Sequence, residues 1–360
     1  MRDSPIPLSM RSSDSSALRL CRAAGLHRDP PPGRGWHDDL GDAVTDEGTL
    51  ARLRALQIPP AWRDVWASPD PDARVQATGI DGRGRTQYRY SSEAQQEASQ
   101  HKFGTLLLFG GSLPALRAQV ESQLATRPAD SAADRVLRAT AVAVRLIDRG
   151  MFRVGSDRYA RDNHTYGLTT LTAEHVRVSG STIEFAFVGK EHRPWHLEIE
   201  DAPVAGILSE LLAHARVDAP LFSIDSEGGR HVVGSAVVNA YIHGATSAPA
   251  TAKTFRTWGG TAAAAAVSAG ALSPAAARSR RPDLEAYDAA AYLLGNTRAV
   301  ARQSYVHPLA VEAGKSDAVV RSVARAARSA GSGDVRVLLR DDGVVRAVVD
   351  ELGRLSRAGA

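Results

Sequence analysis

Cysteine and long apolar runs are the scarcest features of this 360-residue chain. Cys21 is its one cysteine, which excludes a disulfide framework and a cysteine-based metal site. No run of about 18 apolar residues occurs, so no membrane span is expected. Residues 1–38 lack the apolar stretch of a secretory signal and are rich in Ser, Arg and Pro toward their start. They are expected to form a disordered leader, and the protein is expected in the cytoplasm.

Lysine is also scarce, and the sequence indicates neither a phosphate-binding loop nor a metal site. Four of the 44 basic residues are lysines, which leaves 40 arginines. A coding bias toward arginine explains the excess of arginine over lysine. Against that background, a lysine inside a motif indicates a task that needs release of a proton, because arginine stays protonated. No glycine-rich loop ends in Lys-Ser or Lys-Thr, so no cofactor such as ATP is expected. His192 and His196 span a predicted turn into a strand, so no metal site is expected.

The net charge of +4 and the pI near 9.4 permit a nucleic-acid partner without identifying one. Hydrophobic residues make up 43% of the chain, which is enough for a sizeable core and about two domains. A polar stretch at 127–131 predicts a boundary between them. The expected organisation is therefore a leader at 1–38, a small domain at 39–127, a larger domain at 128–312 and a helical C-terminal tail at 313–360.

The expected fold class is α+β. Alternating apolar residues and turn signals favour a small β-sheet over residues 61–90. Helical spacing of apolar residues favours helix over 93–125, with a break at 110–114 where the chain reads Gly-Gly-Ser-Leu-Pro. The larger domain is predicted to be mainly helical, around a three-stranded β-meander formed by 176–178, 183–188 and 195–199.

Five polar blocks follow one another along the larger domain. They are Phe152-Arg153-Val154-Gly155, Phe187-Val188-Gly189-Lys190, Lys253-Thr254-Phe255-Arg256-Thr257-Trp258, Leu294-Gly295-Asn296-Thr297 and Ser304-Tyr305-Val306-His307-Pro308. Cutting a DNA strand without metal or ATP needs a nucleophile, donors for the charge that builds on the phosphate oxygens, and an acid for the leaving 5′ oxygen. The blocks hold residue types competent for each of these tasks.

The joint order and spacing of these blocks resemble the poxvirus-like and bacterial type IB DNA topoisomerases. Arg153 and Lys190 are 37 residues apart, and Asn296 precedes Tyr305 by nine. The first domain carries a similar signature in Ile58-Pro59-Pro60-Ala61-Trp62, Gln76-Ala77-Thr78-Gly79 and Gly84-Arg85-Thr86-Gln87-Tyr88-Arg89-Tyr90. The resemblance covers roughly residues 40–312. It implies ATP-independent relaxation of supercoiled DNA.

The resemblance also implies a role for each matched residue. Tyr305 is the expected nucleophile and forms a 3′-phosphotyrosyl bond, and Lys190 is the expected general acid. Arg153 and Arg256 are expected to clamp the scissile phosphate, which suits a planar guanidinium fork. Asn296 stands where the poxviral enzymes have histidine; an amide can donate a hydrogen bond to a phosphate oxygen but cannot move a proton.

The expected partner is double-stranded DNA, clamped by a monomer in association with the nucleoid. Contacts with DNA are expected from residues of both domains, namely Gln87, Tyr88, Tyr90, Tyr159 and Lys253. Hydrophobic packing of Tyr88 and Tyr90 is the alternative for that pair. No cofactor, metal or membrane is implied.

Helix-end chemistry supports one part of this site. Gly295 is suited to ending a helix, and Asn296 or Thr297 to starting the next. An unbroken helix would place Asn296 and Tyr305 on opposite faces, since nine residues turn through about 900°. A break between two helices lets both face one phosphate.

Two other functions remain open. A tyrosine recombinase shares the attack chemistry, but its histidine slot holds Lys253 here, and strands rather than a helical bundle are predicted for residues 60–90. A non-catalytic DNA-binding protein that keeps the fold is the other alternative. It is disfavoured because all five active-site positions hold competent residues.

Overall fold

The structure is a computed structural model that describes residues 24–29, 35–126, 131–217, 219–273 and 281–358. It has the expected α+β class. The chain divides into two compact units, Met1–Lys102 and Phe103–Ala360. The functional boundaries at 127/128 and 312/313 stay predictions.

The first unit contains a five-stranded antiparallel sheet in the order β2-β1-β3-β4-β5, together with one short helix, α1. Asp46 caps α1 by accepting a hydrogen bond from the Thr49 amide, as expected for an N-cap aspartate. The strands are β1 (Leu26–Arg28), β2 (Trp36–His37), β3 (Arg63–Ala67), β4 (Val75–Ile80) and β5 (Thr86–Tyr90), and α1 is Glu47–Ala55.

The leader prediction is wrong over the part of residues 1–38 that the structure describes. Strands β1 and β2 lie there, and β1 pairs with β3 through Leu26 opposite Ala67 and His27 opposite Trp66. Leu26 is buried, so its apolar side chain adds to the sheet's core. Strands of three and two residues are too short to show a hydrophobic period. Cys21 and the rest of 1–23 lie outside the described residues.

The predicted break at 110–114 is also wrong, because one helix, α2 (Ser92–Ala125), runs through it. A proline in a helix interior costs about 3 kcal/mol. Buried Leu113 and Leu116 flank Pro114 and offset that cost. Glycine is required at position 110, because a Cβ there would lie only 2.6 Å from the ring of Trp258.

The second unit is mainly helical, and its three-stranded meander confirms the prediction. A second hairpin, β9 paired with β10, was not predicted, although Gly228 and Gly229 lie at its turn. The strands are β6 (Val176–Ser179), β7 (Thr182–Gly189), β8 (Arg193–Glu200), β9 (Ser223–Ser226) and β10 (Gly229–Val232). The helices are α3 (Ala132–Gly150), α4 (Asp157–Asn163), α5 (Ala202–Ala213), α6 (Ser235–Ala245), α7 (Ala252–Ser268), α8 (Pro282–Leu294), α9 (Arg298–Ser304), α10 (Ala310–Gly314), α11 (Asp317–Ala330), α12 (Val335–Leu338) and α13 (Asp342–Ala358).

Helix α7 lies at the centre of this unit. Its residues from Phe255 to Ala266 are all buried, and the alanines from 262 onward let neighbouring backbones approach closely. A Cβ on Gly314 of α10 would lie 2.2 Å from the Ala265 carbonyl oxygen. Helices α11 to α13 supply Val319, Val344 and other apolar side chains to the same core. The predicted tail is therefore helical, as expected, and it packs into the core that surrounds α7.

Candidate active site

Arg153 follows helix α3 and is held by backbone pairing. Met151 ends α3 in the left-handed conformation, with φ of 54°. The next residues bond across to a second segment, where the Leu168 amide donates to the Arg153 carbonyl at 2.9 Å and the Thr169 amide donates to the Val154 carbonyl at 2.8 Å. The Arg153 backbone is thus held by helix α3, which precedes it, and by the hydrogen bonds from Leu168 and Thr169.

Arg153 and Asn296 meet although they are far apart in the sequence. Nη2 of Arg153 donates to Oδ1 of Asn296 at 2.9 Å. Because the amide oxygen is used in this way, the amide nitrogen is left to donate elsewhere. Nδ2 of Asn296 is buried and has no hydrogen-bond partner among the described residues.

Arg256 is the most buried of the predicted catalytic residues, with 2% of its surface exposed. Its guanidinium donates to the Met151 carbonyl and, at 2.7 Å, to the Leu294 carbonyl. Both carbonyls lie at helix C-termini, where acceptors lack intrahelical partners and the helix dipole favours a cation. Nε of Arg256 is buried and unpartnered within the described ranges.

Tyr305 lies beside Arg256. The guanidinium carbon of Arg256 is 5.4 Å from the centre of the tyrosine ring. Burial by itself would raise the pKa of Tyr305, but the charge and hydrogen bond of Arg256, followed by the charges of Arg153 and Lys253, lower this pKa below its usual value. The site therefore stabilises the phenolate relative to that of an ordinary tyrosine, and the phenolate is the attacking form of a tyrosine nucleophile.

Burial acts in the opposite direction on the two arginines. It lowers the pKa of Arg153, and it lowers the pKa of Arg256 with help from the charge of Arg153. Two guanidinium groups that repel each other in a partly desolvated site form a place where an anion is favourable. A phosphate group would supply the missing negative charge.

The backbone around Tyr305 is fixed by a residue that lies outside the five sequence blocks. Oγ1 of Thr261, on α7, donates to the Tyr305 carbonyl at 3.2 Å and accepts from the His307 amide at 3.0 Å. Gly260 permits this approach, since a Cβ there would lie 3.0 Å from the same carbonyl oxygen. Thr261 is five residues after Arg256, a spacing that gives no motif signal.

The turn that carries Asn296 has the predicted form. Gly295 ends α8 in the left-handed conformation with φ of 59°, and the Thr297 side chain caps α9 by accepting from the Val300 amide. Asn296 and Tyr305 therefore lie at opposite ends of a short helix rather than within one long helix. The indole of Trp195, from β8, packs directly against Gly295.

Lys190 stands apart from this cluster. It follows β7 at the tip of the β7–β8 turn, as predicted, and its side chain is exposed. Within the described ranges it makes no hydrogen bond or ion pair. Lys253 is likewise exposed on α7, although its charge acts on Tyr305. The structure thus brings together Arg153, Arg256, Asn296 and Tyr305, and leaves Lys190 on an adjacent turn.

Four of the five residues predicted to contact DNA are exposed and Gln87 is half-buried, and the contacts themselves stay predictions. In the first unit the rings of Tyr88 and Tyr90 stack 6.0 Å apart on one face of β5, and both are largely exposed. Gln87 donates to Oδ2 of Asp81 at 2.9 Å. Tyr159, in the second unit, is 46% exposed on α4.

No group of three metal-ligating side chains occurs in the described part of the chain, and no helix there is long and apolar enough to cross a membrane.

Comparison with known proteins identifies the family. The family described as eukaryotic DNA topoisomerase I, catalytic core, matches residues 91–327, which is more than half of the chain. The family described as bacterial DNA topoisomerase IB, N-terminal domain, matches residues 35–81. A DNA topoisomerase 1B of Acanthamoeba polyphaga mimivirus is 30% identical over 227 residues, covering 62% of this chain and 66% of the viral protein. The chain therefore belongs to the type IB DNA topoisomerase family.

Proposed function

We propose that this protein relaxes supercoiled DNA without ATP, by cutting one strand through Tyr305 and resealing it. The observation that carries the proposal is the cluster of Tyr305 with Arg153, Arg256 and Asn296, in which the basic groups lower the pKa of the nucleophile. The family matches point to the same chemistry.

The proposed reaction is a reversible transfer of the phosphoryl group. The phenolate oxygen of Tyr305 attacks phosphorus, a 3′-phosphotyrosyl bond forms, and the bond to the 5′ oxygen breaks. Lys190 gives a proton to that leaving oxygen. In the reverse step the 5′ hydroxyl attacks phosphorus and the tyrosine leaves. Since the phosphotyrosyl bond retains the energy of the broken bond, no ATP is consumed.

Three side chains would stabilise the charge on the phosphate oxygens. Nδ2 of Asn296 and Nε of Arg256 are buried donors without partners in the described structure, and such donors are costly unless a ligand uses them. Arg153 already bonds to Asn296, so the two would act as one unit. Donors fixed before the substrate arrives give the largest rate advantage of this kind.

Lys190 is exposed, and the proposal requires its turn to approach the leaving oxygen when DNA is bound. Glu191 and His192 both have positive φ, of 65° and 56°, so two successive residues of this turn adopt the left-handed backbone conformation. Closure of a turn over a bound substrate is a common way to complete a catalytic site.

The proposed substrate is duplex DNA, bound by a monomer in the cytoplasm, with both units contributing contacts. Phosphate contacts would supply most of the affinity, so binding is expected to fall steeply with salt. Tyr88, Tyr90, Gln87, Tyr159 and Lys253 are the proposed contact residues.

The test is relaxation of negatively and positively supercoiled plasmid in EDTA without ATP, with Tyr305→Phe as the control. The proposal expects the wild type to relax both signs and the variant to bind DNA without cutting it. Relaxation by Tyr305→Phe well above background would overturn the nucleophile assignment. Covalent adducts at specific duplex sites without relaxation would indicate a recombinase, and the absence of both activities would indicate a DNA-binding protein.

A further inference from the structure

Trp195 contacts the turn that carries Asn296 more closely than any side chain at position 295 would allow. A Cβ built on Gly295 would lie 2.3 Å from Cζ3 and 3.1 Å from Cε3 and Cη2 of the indole. All three atoms belong to the six-membered ring. The far edge of the indole therefore lies against the Gly295 backbone, one residue before the amide that bonds to Arg153.

The same indole packs against aromatic side chains from two other parts of the site. Its ring is 6.3 Å from that of Phe152, the residue before Arg153, and 6.2 Å from that of Phe187, three residues before Lys190 on β7. Trp195 lies opposite Phe187 in the β7–β8 register. Trp195 thus links the hairpin bearing Lys190, to which it belongs, with the segment bearing Arg153 and the turn bearing Asn296.

A tryptophan at this position has a cost that a phenylalanine would avoid. Nε1 of Trp195 is buried and has no hydrogen-bond partner among the described residues. An unpartnered buried donor lowers stability. Phenylalanine would keep an aromatic ring beside Phe152 and Phe187, but it lacks the outer atoms Cζ3 and Cη2 that the indole places against Gly295. These atoms are the part of the indole that distinguishes tryptophan from phenylalanine at this contact.

We propose that Trp195 is a positioning residue that holds the Gly295 turn and thereby fixes the direction of the Asn296 amide. The inference rests on the proposed function, because it acts through the Asn296 hydrogen bond to the phosphate. Gly295 is required twice over: its φ of 59° favours glycine, and its missing side chain admits the indole.

The test measures the rate of plasmid relaxation, with enzyme in excess, for Trp195→Phe, Asn296→Ala and the double variant. Phe185→Leu is the matched control, since Phe185 lies on β7 of the same sheet and its ring packs 4.9 Å from that of Phe152, whereas the three atoms nearest to a Cβ built on Gly295 all belong to Trp195. Thermal unfolding is measured for every variant, so that loss of fold and loss of positioning are separated.

Trp195→Phe is expected to slow relaxation by about tenfold, since small misplacements of a catalytic group carry penalties of this order or more. Its Tm should change little, because the lost ring contact is offset by removal of the unpartnered donor. Phe185→Leu should show the opposite pattern, with a lower Tm and a rate within about twofold of wild type. In the Asn296→Ala background, Trp195→Phe should have almost no further effect.

Each outcome separates this inference from the function on which it rests. If the wild type does not relax plasmid, the proposed function fails. If Asn296→Ala relaxes at the wild-type rate, the role of Asn296 fails, and the positioning role of Trp195 fails with it. If Asn296→Ala is slow but Trp195→Phe is not, or if their effects multiply in the double variant, the inference about Trp195 alone is overturned.

Discussion

Arg256 is expected to be a structural residue as well as a catalytic one. Its guanidinium donates to the carbonyls of Met151 and Leu294, which lie at the C-terminal ends of α3 and α8. Arg256→Ala leaves both carbonyls without that partner in a region where Met151 and Leu294 are 3% and 0% exposed. The substitution should therefore reduce the free energy of unfolding as well as the rate of DNA cleavage.

The expected size of the effect follows from these two acceptors. Leaving a buried acceptor unpartnered costs about 1–3 kcal/mol, so the pair costs about 2–6 kcal/mol. Removing a desolvated charge offsets part of this, which favours the lower half of the range. A loss of about 2–4 kcal/mol is a large fraction of the roughly 5–15 kcal/mol that stabilises a typical folded domain.

Arg153→Ala is the matched control. Arg153 is also a proposed phosphate clamp, but the hydrogen bond described for its side chain goes to Asn296 rather than to a helix end. Both variants should lose relaxation activity, and Arg256→Ala should unfold at a markedly lower urea concentration. A difference in unfolding free energy below about 1 kcal/mol between the two would refute the structural role, since effects of that size are common for ordinary substitutions.

Four further predictions test separate parts of the site. Asn296→Ala should slow single-turnover cleavage about 10²-fold, the typical loss for one oxyanion donor, and an unchanged rate would contradict its role. Lys190→Ala should be rescued by a substrate with a 5′-bridging sulfur, because a thiolate leaves without an acid; no rescue would count against proton donation. Lys253→Gln removes a charge that lowers the pKa of Tyr305, so the rising limb of the pH–rate profile should move to higher pH, and an unmoved limb would be contrary to this account. Thr261→Val removes the hydroxyl that fixes the Tyr305 carbonyl and should slow cleavage about tenfold, while equal rates would show that the hydroxyl is dispensable.

Local chemistry predicted the turn between α8 and α9 well. Gly295 and Thr297 are residue types with strong preferences at helix ends, so the sequence alone indicated that Asn296 and Tyr305 belong to different elements. The meander was predicted because its strands alternate and are separated by turn residues. Signals of this kind depend only on neighbours in the chain.

Contacts between distant segments gave no such signal. Thr261 and Trp195 do not belong to the motif residues, and each acts on a residue far along the chain. The course of α2 through Pro114 depends on burial of its flanks, which local breaker rules ignore. The separation of Lys190 from the other catalytic residues could not be read from its motif either, because spacing gives the order of the catalytic residues and not their distances.

The burial of helix α7 from Phe255 to Ala266 has a consequence for the substitutions that this protein can tolerate. A surface helix tolerates substitutions on its solvent-exposed face, which recurs every three to four residues along the sequence. From Phe255 to Ala266, helix α7 has no exposed face, and Gly259 and Gly260 lie so close to Met151 and Tyr305 that a Cβ on either would be crowded. Arg256, Gly260 and Thr261 are embedded in that same stretch. A substitution there would disturb the packing of the core and the surroundings of the nucleophile together, so tolerated substitutions are expected at exposed positions such as the β7–β8 turn.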